Sequence, residues 1–125
     1  MSRDEVYKAV LAFLDQFISR GAAPDIHDLR ERLTNDPEAR QSLERHLDAE
    51  EPTEREAFDA MNAFFAAEWE RGGRAAYAAG SPDLIELISW TSWNWGDSAD
   101  PASQATGDPA QWHDWLASVE TTRQR

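Results

Sequence analysis

Apolar side chains recur every three or four residues through much of the chain, which is the spacing of one face of an α-helix. In the first part of the chain this periodicity predicts four helices. Their inward-facing residues are Val6, Val10, Phe13, Leu14, Phe17 and Ile18 in a helix over 3–20; Ile26, Leu29 and Leu33 in the second; Leu43 and Leu47 in the third; and Phe58, Met61, Phe64, Phe65 and Trp69 in the fourth.

The boundaries of these helices are marked by residues suited to helix ends. Ser2-Arg3-Asp4-Glu5 and Thr53-Glu54-Arg55-Glu56 are capping boxes, in which a hydroxyl and a carboxylate each accept a hydrogen bond from an amide that has no partner inside the helix. The other predicted boundaries are prolines that open a helix and glycines that end one: Pro24, Pro37, Gly21 and Gly72-Gly73.

The C-terminal part of the chain has a less uniform pattern. Residues 84–95 fit a helix, which the preceding Ser81-Pro82-Asp83 favours, but their β-branched and aromatic residues also fit a strand. The composition from Gly96 to Gly107 predicts a loop, and a last helix beginning at Asp108-Pro109 is expected to bury Trp112 and Trp115, with a flexible tail over 121–125. The sequence therefore predicts an all-α fold, a compact single-domain bundle of five to six helices spanning residues 1–125.

Acidic residues outnumber basic ones by 24 to 12, and the formal net charge is −12. No Lys or Arg occurs between Ala75 and Thr122, whereas the region before it interleaves both signs. Such a surface repels phosphate backbones and anionic lipids, so nucleic acid and membranes are not expected as direct partners, and a basic protein is. The absence of cysteine and of a long apolar or signal-like segment favours a cytoplasmic protein.

Five of the six tryptophans lie in two short stretches, SWTSWNWGDSAD (89–100) and QWHDW (111–115). Pairs three residues apart lie on one helix face, so we expect core positions for at least three of Trp69, Trp90, Trp93, Trp112 and Trp115. If 84–95 is a helix, however, its 100° per residue separates Trp95 from Trp90 and Trp93 by about 140° and about 160°. At least one of these rings is then expected near the surface.

An exposed indole framed by carboxylates is typical of an interface with a cationic partner, because the ring supplies desolvated area and the acids steer and select. The predicted contact residues are Trp93, Trp95, Asp97 and Asp100, with Glu86 and Asp114 as rim charges.

No catalytic, cofactor or metal set is predicted. The three histidines, His27, His46 and His113, lack the spacing of a zinc motif and are expected on the surface. No phosphate-binding glycine motif is present, and the aspartates between 96 and 108 lack the register of a calcium-binding hand. We therefore expect a protein that is not an enzyme.

The C-terminal region resembles small acidic helical bacterial proteins regarded as immunity proteins that neutralise a toxin. The resemblance rests on Ser81-Pro82-Asp83-Leu84, on the stretch Gly96–Ala102 and on Gln111-Trp112-His113-Asp114-Trp115-Leu116. The sequence departs from that pattern with Gly96-Asp97 in place of Asp-Gly, and with residues around 103–110 that repeat the Asp-Pro-Ala step of 100–102. The resemblance implies a non-enzymatic inhibitor whose acidic, tryptophan-bearing surface covers a basic toxin.

Three other functions remain open at this stage. A small-molecule or regulatory module would use the tryptophans to line a pocket between the last two helices. A hydrolase or metal enzyme would use His27, His46 and nearby carboxylates. A DNA mimic would arrange its carboxylates as a phosphate-like strip, which the interleaved basic residues of 1–74 disfavour.

Overall fold

The computed structural model describes residues 1–21, 24–73, 87–88, 91, 93–94, 105–106 and 109–124. The fold is all-α. Five α-helices have described bounds: α1 (Arg3–Ser19), α2 (Pro24–Asn35), α3 (Pro37–Arg45), α4 (Glu54–Glu68) and α5 (Pro109–Arg123). Two-residue strands β1 (Trp93–Asn94) and β2 (Ala105–Thr106) pair in antiparallel fashion.

Both predicted capping boxes are present. The Ser2 and Thr53 hydroxyls accept from the amides of Glu5 and Glu56, and each glutamate accepts in return from the amide of its capping residue. These backbone hydrogen bonds favour the ionised carboxylates and lower the pKa values of Glu5 and Glu56. Gly21, after α1, has a φ of 89°, the left-handed conformation that glycine adopts without steric cost.

The core lies where α1, α2, α3, α4 and α5 bury their apolar faces against one another. Its largest fully buried side chains include the predicted residues Phe13, Leu14, Ile26, Leu33, Leu43, Phe58, Met61, Phe64, Phe65 and Trp115. α1 makes its most extensive packing with α5, so the two ends of the chain form one side of the bundle. No helix in the described ranges combines the length and the apolar character that crossing a bilayer requires.

The fourth helix reaches the predicted glycines with a change of geometry. α4 ends at Glu68, and Trp69–Gly73 continue it as a π-helical turn, which holds an extra residue per turn. This turn places Arg71 beside a cleft that Arg32, Glu38 and Arg45 also line.

The segment 84–95, for which the sequence fits either a helix or a strand, contains both helical and strand residues. Leu87, Ile88 and Thr91 are helical, whereas Trp93 and Asn94 form β1. The helix-based angles between Trp95 and the other rings therefore do not apply, because the chain has left the helix by Trp93. The predicted loop also gains a strand, since Asn94 pairs with Ala105 and Trp93 with Thr106.

The last helix begins at Pro109, so the second of the two Asp-Pro-Ala steps opens it. It also continues to Arg123, which is further than the tail predicted from Thr121. The physical reason lies in tertiary contacts: the Arg123 guanidinium lies 2.8 Å from a Glu54 carboxylate oxygen and 3.8 Å from one of Glu5. These ion pairs attach the end of α5 to the starts of α4 and α1.

Candidate partner-binding surface

The predicted contact residues fall mostly outside the described part of the chain. Glu86, Trp95, Asp97 and Asp100 lie outside it. For Trp93 the backbone is described, in β1, where it pairs with Thr106 of β2. The ten residues that connect these strands include Trp95, Asp97 and Asp100, so the pairing joins the two ends of the stretch that carries the predicted contacts.

Asp114 is described in full, and it is not an uncompensated rim charge. Its two carboxylate oxygens accept from both terminal nitrogens of Arg20 at 2.7 and 3.1 Å, and only 17% of the side chain is exposed. Gln16 of α1 donates to the Asp114 carbonyl at 2.9 Å and to the Ser118 hydroxyl at 2.6 Å. Asp114 therefore helps to hold α5 on α1, with Arg20 compensating its charge, and its place at the rim of a partner surface stays a prediction.

A polar contact anchors the helical residues that precede β1. The side-chain amide of Asn62, on α4, donates to the carbonyl of Ile88 at 2.8 Å and to the hydroxyl of Thr91 at 2.9 Å. The Thr91 hydroxyl, which is buried, donates in turn to the carbonyl of Leu87 at 2.8 Å. This contact positions the chain two residues before Trp93. Sequence reasoning missed Asn62 because a single asparagine inside an amphipathic helix has no local signal.

The structure describes the side chains of Trp69, Trp112 and Trp115, and these lie in the core or pack against it. Trp115 is fully buried, and its indole N–H donates to the carbonyl of Glu54 at 2.9 Å. Trp112 is half-buried and meets Phe58 edge to face with 5.3 Å between ring centroids, while Trp115 meets Phe13 at 6.3 Å. Trp69 is also half-buried against the core. Aromatic rings of the core therefore pack against both Trp112 and Trp115.

Most of the described basic side chains are neutralised inside the molecule. Arg32 is the most buried example: it forms a bidentate pair with Glu68 at 2.9 Å for both contacts, also pairs with Asp36, and has 16% of its side chain exposed. Hydrogen bonding to Glu68 raises the pKa of Arg32. The same kind of pairing occupies Lys8, Arg20, Arg30, Arg40, Arg55 and Arg123.

Several exposed carboxylates have no cation within ion-pair distance among the residues that the structure describes. They are Asp28 and Glu31 on α2, Glu38 on α3, and Asp48, Glu50 and Glu51 between α3 and α4. Because most of the described cations are paired with carboxylates and these anions are not, the described surface carries its net charge on exposed carboxylates. Apart from Pro37, the exposed side chains in the described ranges are polar, charged or small.

An acidic cleft of about 240 Å³ lies beside the connection between α3 and α4. Asp48, Glu56 and Asp59 line it together with His46, and Ala60 and Ala63 form part of its apolar surface. α4 therefore contributes both to this cleft and, through Asn62, to the anchor of the tryptophan-bearing segment. The run of acids from 48 to 59 is visible in the sequence, but the interleaved bases around it gave no reason to single it out.

The histidines are exposed and dispersed over the surface. His27 lies on α2, His46 follows α3 and His113 lies on α5, and all three are solvent-exposed, as predicted. Within the described residues no three histidine or carboxylate side chains come together in a way that would hold a metal ion.

Comparison with known proteins gives no relative. No protein-family model matches the chain, and neither the curated proteins nor the solved structures contain a match.

Proposed function

We propose that this chain is a non-enzymatic, cytoplasmic binding protein of the immunity or antitoxin type, which inhibits a basic toxin or effector by covering its cationic surface. The observation that carries the proposal is the pairing of most described basic side chains with carboxylates, which leaves other exposed carboxylates without a cation. A surface of this kind raises the association rate with a cationic protein and repels anionic competitors.

The proposed contact set is Trp93, Trp95, Asp97 and Asp100, with Glu86 at the rim. Two contacts support it: the Asn62 anchor that precedes Trp93 and the β1–β2 pairing that joins the ends of the 95–104 connection. A positioned segment loses less conformational entropy on binding than a free one, and indole rings are efficient interface anchors. The unpaired Asp48, Glu50 and Glu51 add to the steering field.

The first test concerns the biological partner. The chain is co-expressed with the product of the adjacent gene, and host growth is compared with and without it. Rescue from a toxic neighbour supports the immunity function, whereas a toxic neighbour whose effect the chain leaves unchanged argues against it.

The second test concerns the mechanism of association with that partner. Exposed charges act over about 10 Å at 0.1 M salt and about 3 Å at 1 M. The association rate constant, measured by stopped-flow fluorescence, should therefore fall steeply as salt rises, while the dissociation rate changes little. Replacing Asp97 and Asp100 together by Asn should reproduce part of that fall. A matched double change on α2, Asp28→Asn with Glu31→Gln, removes the same charge and should slow association less. An association rate that ignores salt would refute electrostatic steering.

A further inference from the structure

A second cleft, on the side where α2, α3 and the π-helical turn meet, is lined by three arginines. It has a volume of about 210 Å³, and its polar lining comprises Arg32, Glu38, Ser42, Arg45, Glu68 and Arg71. In a chain with a net charge of −12, three arginines from three elements line one cleft, beside the carboxylates of Glu38 and Glu68.

The three arginines are not equivalent. Arg32 is held by its bidentate pair with Glu68 and its contact with Asp36. Arg45 and Arg71 are exposed, and neither has a carboxylate within ion-pair distance in the part of the chain that the structure describes. They differ in this from the paired cations of the other helices, and their donor groups remain available to a ligand.

The positions of these residues follow from local structure. Glu38, Ser42 and Arg45 are spaced four and three residues apart, so they share one face of α3. Arg71 reaches the same cleft because the π-helical turn extends α4 past Glu68. The negative end of the α3 dipole also favours an arginine in its last turn. That effect accounts for a cation at position 45, but not for its convergence with Arg71 and Ser42 on a single cleft.

From this geometry we infer that the cleft binds the phosphate group of a phosphate monoester. One guanidinium group and a hydroxyl from α3 and a second guanidinium group from the π-helical turn line the cleft, which suits the several acceptor oxygens of a tetrahedral dianion better than a planar carboxylate. The volume is below the roughly 300 Å³ of typical small-molecule sites, so the cleft accommodates the charged group itself and not a whole cofactor. The buried Arg32–Glu68 pair forms a fixed wall beside the anion.

The test is a ¹H–¹⁵N NMR titration of the whole chain at constant ionic strength. Inorganic phosphate and O-phosphoserine are titrated separately, since the first represents a free phosphate and the second a modified protein side chain. Saturable shifts confined to the amides of 38–45 and 67–73 are expected with at least one probe. Binding of O-phosphoserine alone would identify a phosphorylated protein as the source, and binding of both would identify the phosphate group alone as sufficient.

Matched variants distinguish the cleft from general charge effects. Arg45→Gln and Arg71→Gln should each weaken binding about tenfold, the loss expected for one charge-assisted hydrogen bond. Arg45→Lys, which keeps the charge but not the planar fork, should lose less. Lys8→Gln removes one positive charge on α1, outside the cleft, and should change the dissociation constant by less than about twofold. Shifts spread evenly over the surface, no saturation with either probe, or an equal loss in Lys8→Gln would overturn the assignment.

Discussion

Replacing Asn62 by Ala should loosen the segment that leads into β1 without disturbing the rest of the bundle. The Asn62 amide donates two hydrogen bonds to that segment, at 2.8 Å to the Ile88 carbonyl and at 2.9 Å to the Thr91 hydroxyl. Both contacts join residues that are distant in sequence and meet only in the fold. Removing them takes away the hydrogen bonds that hold Ile88 and Thr91 to this side chain of α4, while Leu87 stays buried in the core.

The magnitude follows from the number of contacts and their burial. A hydrogen bond between neutral groups contributes about 0.5–1.5 kcal/mol net, so the two bonds together contribute about 2 kcal/mol. At about 1.4 kcal/mol per factor of ten, opening of the segment should become about 30-fold more favourable. Thr91→Val, which keeps the side-chain shape and removes the hydroxyl, should cost a similar amount, and the double variant should cost less than the sum because the two residues share a bond.

The assay is native-state hydrogen exchange of the amides around 87–94, together with urea unfolding followed by tryptophan fluorescence. Thr121→Val is the matched control: its hydroxyl also donates to a carbonyl four residues earlier, that of Ala117, and it is exposed. The control should change the unfolding free energy by less than about 0.5 kcal/mol. Unchanged exchange protection in Asn62→Ala would refute the role of this side chain as the anchor of the segment.

Three further predictions concern stability. Glu68→Ala should lower the unfolding free energy by about 3–5 kcal/mol in urea denaturation, because it leaves Arg32 largely buried without its main partner; Asp15→Asn, which breaks an exposed pair, should cost at most about 1 kcal/mol. Trp115→Ala should cost about 3–5 kcal/mol in the same assay, and Trp112→Ala less because that ring is half-buried. Because folding lowers the pKa of Glu56, the contribution of its carboxylate to the unfolding free energy should be fully present above about pH 4.5 and lost as the pH falls through the folded-state pKa. Glu56→Gln still accepts the capping hydrogen bond and does not titrate, so it should reduce the loss of melting temperature between pH 5 and 3. Equal acid sensitivity of the wild type and Glu56→Gln would contradict this.

The internal pairing of cations changes how the composition is interpreted. In the sequence, acids and bases are interleaved through 1–74, a pattern typical of ordinary solvated helices. In the fold, arginines such as Arg32 and Arg40 pair with carboxylates of the same or neighbouring helices. The acids that remain unpaired, including those at 48–51, then determine the local field. Whether a residue is neutralised depends on distances between helices, which composition does not contain.

The candidate site was predictable to different degrees. A helix-period calculation assigned directions to Trp93 and Trp95, but Trp93 lies in a strand and its partner is Thr106. A pairing two residues long has too little pattern to be recognised in a sequence. Asp114 is predicted as a rim charge within a stretch that has no Lys or Arg, but its cation, Arg20, comes from the end of α1.

The helices themselves were determined locally. Hydrophobic spacing, two capping boxes, Gly21 and the prolines at positions 24 and 37 specify α1 to α4 closely, because each acts on backbone groups within a few residues. Tertiary structure decided how far α5 extends, which charges remain unpaired and where the chain between α4 and α5 is attached. These properties depend on contacts such as Asn62–Thr91 and Arg123–Glu54, whose partners are brought together only when the helices pack.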